Sequence, residues 1–233
     1  MKEKSAHTRQ FSRFAAQYDD HNIVQREVAR TLVSKIKNRP KTILDLGCGT
    51  GAVFKNLHWD VETFIGVDAS EAMCQAHPAP LHVRIIHDSF DNPSLFERPV
   101  DLIVSSSALQ WAKDLPALFE KIAHGGKQCA LAIFTCKTFE TLHQMTGYTS
   151  LLPQSKELEA LFMKHFQGEF EVRRYRVEFP DTLSLLRYIK RSGVSGGEKV
   201  VSVTKLREVI ARYPHDYLES EVFFCWGLPK VLK

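Results

Sequence analysis

The chain has no C-x-x-C pair, and its five cysteines (Cys48, Cys74, Cys129, Cys136, Cys225) are scattered and odd in number. That spacing supports neither a disulfide framework nor a structural zinc site. None of the ten histidines stands in an H-x-x-x-H or H-E-x-x-H spacing. His77, His82 and His87 therefore read as surface or core residues, and no metal is expected. The longest apolar run, around Cys129 to Phe134, falls far short of the roughly 20 residues that span a bilayer. The opening residues, MKEKSAHTRQFSRF, carry charge but no apolar stretch of a secretion signal. A cytoplasmic protein with no membrane partner is the expectation. At 233 residues, with hydrophobic residues at 44% and charged ones at 25%, the chain suits one α/β domain with a substantial core.

What the sequence does hold is concentrated in Ile43–Gly51, ILDLGCGTG. Apolar β-formers and an acid run straight into a turn with glycines at alternate positions, and a helix-compatible segment follows. A buried strand, a tight turn and a helix start in that order press a small ligand against backbone. Dinucleotide sites space their glycines G-x-G-x-x-G. Here Gly47, Gly49 and Gly51 alternate, Asp45 precedes them, and no phosphate-binding lysine follows.

Strands are expected at 42–46, 63–67, 82–87, 101–105 and 128–135, with helices near 51–58, 70–76 and 115–123. This alternation predicts a parallel sheet covered on both faces. Before it, residues 8–37 read as helix, ended by Pro40. After it come helices at 138–147 and 155–166, a long strand at 169–179, a helix at 181–191, the SGVSGG loop, another helix and a last strand at 217–226. Ligands of such sheets sit beyond the carboxyl ends of the strands, at the switch point beside the first.

Asp68 ends the second strand, where a carboxylate can accept both hydroxyls of a ribose. Met73, one turn into the next helix, is placed to pack on an adenine face. Asp88 ends the third strand, followed by Ser89 and Phe90. Either acid would serve equally as a helix N-cap. The fourth strand ends in Ser105-Ser106-Ser107-Ala108 and offers no carboxylate between Leu102 and Lys113. That disfavours metal-assisted catechol chemistry.

The glycine turn resembles that of Rossmann-like S-adenosylmethionine (SAM) methyltransferases. The resemblance implies a seven-stranded, mostly parallel sheet whose last strand is antiparallel and closes the sheet edge. N-terminal helices and a helical insertion between the last two strands would accompany it. One domain is expected over 1–233: a helical lid at 1–39, a cofactor core at 40–136 and a helical cap at 180–215. By the same resemblance Asp45 meets the cationic methionine end of SAM. Gly47, Gly49 and Gly51 line it, Asp68 with Ala69 meets the ribose, and Asp88 accepts from the adenine amine beside Ser89 and Phe90. Ser105 completes the cofactor set. Methyltransferases of nucleobase amines carry Asp/Asn-Pro-Pro-aromatic where this chain has SSSA, so that activity is disfavoured.

Four segments narrow the resemblance: FSRFAAQYDDHNIVQREVA, SSSALQWAKDLPALFEKI, AIFTCKTFETLHQ and FPDTLSLLRYIKRSGVSGG. Together they are similar to the malonyl-carrier-protein O-methyltransferases of biotin synthesis. This implies an acyl-carrier protein bearing malonyl-phosphopantetheine as partner, with Tyr18 and Gln25 at the cofactor and Tyr18 in the catalytic set. A malonyl carboxylate is already ionised at neutral pH and needs no general base. Arg187, in LLRYIK, is the candidate for gripping it, since a guanidinium matches a carboxylate bidentately; Arg191 stands one turn on. Residues 173–212 hold ten basic and four acidic residues, a net +6, which suits an acidic carrier or a solvated helical face. A related methyltransferase of another small carboxylate or hydroxyl, aconitate-like or a quinone precursor, is the main alternative. A SAM-binding regulatory module is a second. No nucleic-acid recognition motif is present.

Overall fold

The computed structural model describes residues 22–192 and 202–230. Tyr18 and the rest of the anticipated lid before Asn22 lie outside them, as do most of the SGVSGG loop, Lys199 and the side chain of Arg191.

Helix α1 (Ile23–Ser34) leads into β1 (Thr42–Leu46), α2 (Ala52–Asn56), β2 (Thr63–Asp68), α3 (Glu71–Ala76) and β3 (Val83–His87). Next come β4 (Leu102–Ser106), α4 (Leu115–Gly125), β5 (Cys129–Phe134), α5 (Glu140–Thr146) and α6 (Ser155–His165). Strand β6 (Phe166–Glu178), α7 (Thr182–Ser192), α8 (Val203–Arg212) and β7 (Tyr217–Pro229) finish the chain. The sheet order is β3-β2-β1-β4-β5-β7-β6. Strands β1 to β5 are parallel, and β7 runs antiparallel to both β5 and β6. The last strand is antiparallel as expected, but it does not close the edge. It inserts between β5 and β6, because β6 and β7 pair over 13 residues as one long hairpin and β7 is the arm that meets β5.

Strand alternation divides the core cleanly. Ile43, Leu102, Val104, Ala130, Ala132 and Phe134 face α1, where Val24, Val28, Leu32 and Val33 are buried against them. Leu44, Leu46, Ile103, Leu131 and Ile133 face the other way, onto Leu118, Phe119 and Ile122 of α4 and Leu158 and Phe162 of α6. The C-terminus of α1 leads by a short loop to the amino end of β1. Its N-terminus therefore lies at the carboxyl end of the sheet. A third cluster, with Phe139, Leu185, Tyr188, Ile189 and Leu218, packs α7 against the start of β7. Among the described residues no helix is long and apolar enough to cross a membrane.

Candidate functional site

The β1–α2 turn is built on positive backbone angles at Gly47, Gly49 and Gly51 (φ 76°, 52° and 87°). The amides of Gly47 and Cys48 both donate to the Val67 carbonyl, at 2.8 and 3.0 Å, pinning the turn to β2. A Cβ on Gly47 would stand 2.2 Å from the Ala108 Cβ, whereas one on Gly49 would meet nothing within 4 Å. One glycine is thus demanded by packing, and the other presents bare backbone to open space.

Asp68 ties the turn to the second strand. Its Oδ2 accepts from the Gly49 amide at 2.9 Å and its Oδ1 from the Ser70 amide at 2.8 Å. Burial pushes its pKa up, opposed by those two hydrogen bonds and by the His87 charge. Each oxygen keeps a lone pair for a further donor. Helix capping beside it falls to Ser70, whose hydroxyl accepts from the Met73 amide. Asp88 accepts from the Ser89 amide at 2.7 Å and from Asn92 Nδ2 at 2.6 Å. The Ser89 hydroxyl donates to Asp91, the Ala69 carbonyl meets His87 Nε2 at 3.2 Å, and Phe90 lies beside Gly47.

Asp45 is of another kind. It follows Ile43 by two residues, so its side chain shares the α1 face of the sheet. It is 1% exposed, and neither carboxylate oxygen has a hydrogen-bond partner. Burial, and then the charge of Asp68, raise its pKa to about 8. An unpaired buried carboxylate is costly unless a cation joins it. Near it the same face carries more unpartnered atoms: both polar atoms of Asn22, Oε1 of Gln25 and Oγ of Ser106. Asn22 and Gln25, 1% and 6% exposed, belong to the N-terminal turn of α1. Ser106 follows Leu102 and Val104 on their face.

Ser105 points to the opposite face, fully buried, and its hydroxyl donates to the Leu46 carbonyl at 2.6 Å. Beyond it, Ser107 adopts a left-handed backbone (φ 62°), rare for a residue other than glycine. Its carbonyl accepts from Gln110 Nε2 at 2.7 Å. Asn22 lies in FSRFAAQYDDHNIVQREVA, and Ser106, Ser107 and Gln110 lie in SSSALQWAKDLPALFEKI, but sequence reading gave none of the four a place in the site. A run of three serines at a strand end was the one available signal. Arg187 is on the exposed side of α7, while its neighbour Tyr188 is buried; burial raises the pKa of its phenol to about 12, opposed by the nearby Val24 amide. Much of the basic segment is already paired: Arg173 with Glu171 at 2.7 Å, Arg174 with Glu221 at 3.0 Å and Lys205 with Glu208 at 2.9 Å. Arg176 lies over the Tyr217 ring.

A switch-point glycine turn, a carboxylate at the end of β2 and a buried carboxylate without a hydrogen-bond partner fit S-adenosylmethionine, whose methionine end carries an ammonium and a sulfonium. The methyltransferase-domain family matches residues 43–127. The fold matches a crystal structure of the YcgJ protein from Bacillus subtilis at a TM-score of 0.65, with 13% identity, over 88% of this chain and 99% of that one. It also matches the plantazolicin methyltransferase BpumL, solved in complex with SAH, at a TM-score of 0.52 and 15% identity, over 91% of this chain and 88% of that one. Residues 43–127 are thus a methyltransferase domain on a Rossmann-like methyltransferase fold, and the site suits S-adenosylmethionine as its cofactor. Within that class it is similar to the malonyl-[acyl-carrier protein] O-methyltransferase of Xylella fastidiosa, 26% identical over 208 residues, 80% of this chain and 70% of that protein.

Proposed function

We propose that this methyltransferase esterifies the free carboxylate of a malonyl group carried on acyl-carrier protein. The observation that carries the reading is the malonyl-carrier relative taken together with the wall at the end of β4. From Ser105 to Ala112 that wall holds no acid, no base and no metal-ligand cluster, so it suits an acceptor that arrives ionised. When bound, the cofactor supplies a methyl on a positively charged sulfur. A carboxylate oxygen takes that methyl as the sulfur–carbon bond breaks, with the electron pair passing to sulfur.

The protein's part is to bind, orient and exclude water. Asp68, with Ala69 beside it, takes the ribose hydroxyls on its remaining lone pairs. Asp88, Ser89 and Phe90 frame the adenine, and Met73, 2% exposed, backs that wall from inside. Gly47, Gly49 and Gly51 let the turn approach the cofactor. Asp45 and Gln25 hold the methionine end, with Tyr18 assigned to the same end by resemblance. Ser105 acts as a positioning residue, fixing Leu46 just before the turn. Helix α7, within the expected cap at 180–215, packs on the start of β7 at this end of the sheet. Arg187, Arg207 and Arg212, exposed and without a salt bridge among the described residues, are the cations available to an acidic carrier.

The test incubates the purified chain with SAM and malonyl-carrier protein. Expected are S-adenosylhomocysteine and a carrier heavier by one methyl in place of a hydrogen, with free malonate inert. Equal turnover of free malonate would replace the carrier-bound acceptor by a small acid.

A further inference from the structure

We propose, on the reading of a carboxylate acceptor, that the carboxylate is oriented by two neutral donors, Asn22 Nδ2 and Ser106 Oγ, rather than by a cation. Three observations converge. Asn22 is 1% exposed with both ends of its carboxamide unpartnered, and the Ser106 hydroxyl is likewise buried and unpartnered. Both lie at the carboxyl end of the sheet on the α1 face, the face that also carries Asp45. And no lysine or arginine among the described residues is buried.

Placement separates Ser106 from the cofactor's own set. Asp68 and Asp88 end β2 and β3, on one side of β1, whereas Ser106 ends β4 on the other side. A cofactor spread from β3 to β1 brings its methionine end to Asp45. The next strand, about 4.8 Å on, is where an acceptor must stand to reach it. The unpartnered atoms divide by type as well. The Asp45 oxygens, Gln25 Oε1 and Asn22 Oδ1 are acceptors suited to a cation, and the Asn22 amide hydrogens and Ser106 hydroxyl can donate to an anion.

Neutral donors have a kinetic logic. Transfer cancels the negative charge of the carboxylate against the positive charge of the sulfur. A buried guanidinium would bind the charged ground state more tightly than the transition state and slow the step. An amide and a hydroxyl hold the oxygens in line while leaving their charge available. The left-handed Ser107, whose carbonyl accepts from Gln110, sets the loop that follows Ser106.

The test compares wild type, Asn22→Leu, Ser106→Ala and Asn22→Asp by three measurements: acceptor kinetics with malonyl-carrier protein, S-adenosylhomocysteine affinity by calorimetry, and ligand-free melting temperature. Asn22→Leu and Ser106→Ala should each lower kcat/KM for the acceptor by about tenfold or more. Product affinity should stay within about twofold and melting should be unchanged or higher, since an unsatisfied polar group has gone. Asn22→Asp should lose more than about a hundredfold by repelling the carboxylate. Loss of S-adenosylhomocysteine affinity in step with activity would assign the donors to the cofactor and overturn the inference. So would unaltered acceptor kinetics in folded variants. A wild-type chain that turns over a hydroxyl acceptor but not malonyl-carrier protein would overturn the acceptor reading, and this inference with it.

Discussion

The buried Tyr188 phenol of α7 faces the backbone amide of Val24, in the first turn of α1, and that amide opposes the upward push of burial on its pKa. The first amides of a helix have no partner within it, so the α7 phenol offers an oxygen to the helix whose N-terminal turn carries Asn22 and Gln25. Helices α7 and α1 meet at the carboxyl end of the sheet. Tyr188→Phe removes only that polar contact and should cost about 0.5–1.5 kcal/mol of stability. Hydrogen exchange at Val24 and Gln25 should quicken; exchange quickening evenly over the chain would count against a local cap.

Asp68→Ala should weaken cofactor binding by roughly 1–3 kcal/mol, as a charge-assisted acceptor is lost. The variant should also be less stable, because the amides of Gly49 and Ser70 lose their acceptor. Calorimetric titration beside urea unfolding separates the two effects. Undiminished affinity would remove Asp68 from the ribose.

Gly47→Ala should be worse than Gly49→Ala. Both force a side chain into a left-handed backbone, but only the first brings a Cβ within 2.2 Å of another side chain. Extra destabilisation of about 1–3 kcal/mol is expected at Gly47, read from the two melting curves.

Asp45 should make cofactor affinity depend on pH. In the ligand-free fold its pKa is raised from 3.8 to about 8. Between those values the folded chain keeps a proton that the unfolded chain has released, so ligand-free stability falls as pH rises across that window. A cation beside Asp45 favours the carboxylate. Binding below about pH 8 should therefore release a proton, and affinity should tighten as pH approaches that value. Titration in buffers of different ionisation enthalpy counts the proton. Asn in place of Asp45 should abolish the release, weaken binding and stabilise the empty protein.

Arg187→Ala should act as a surface change. Its exposed guanidinium favours encounter with an acidic carrier, so KM should rise by about three- to tenfold at low salt and by less as salt increases. A salt-independent fall in kcat would instead place Arg187 at the reacting carboxylate.

Much of the fold was legible because periodicity and the glycine turn reported it directly. The strand at 42–46 coincides with β1, and the helices expected near 115–123 and 155–166 are present within two residues. What escaped was relational. Ser105 and Ser106 are chemically identical in sequence, and only the pairing register decides which faces α1 and which the α4 side. Nothing within FSRFAAQYDDHNIVQREVA singles out Asn22; its meaning comes from burial without a partner. The place of β7 inside the sheet also depended on a pairing between distant segments. Turn chemistry is local and can be read from neighbours, whereas a site assembled from α1, β1 and β4 is a long-range property.

The thiols carry a practical consequence. Cys48, Cys129 and Cys225 are buried, all five cysteines are free, and burial raises the pKa of each. Cys48 stands inside the glycine turn itself, with its sulfur against Gly66. Alkylating agents and peroxides attack thiolates, and at neutral pH this protein presents almost none. Methyl transfer should therefore survive iodoacetamide and mild oxidant without added reductant. Should it fail under either, the half-buried Cys74 and Cys136 are the first thiols to inspect; modification at Cys48 would mean that the cofactor cradle has come apart.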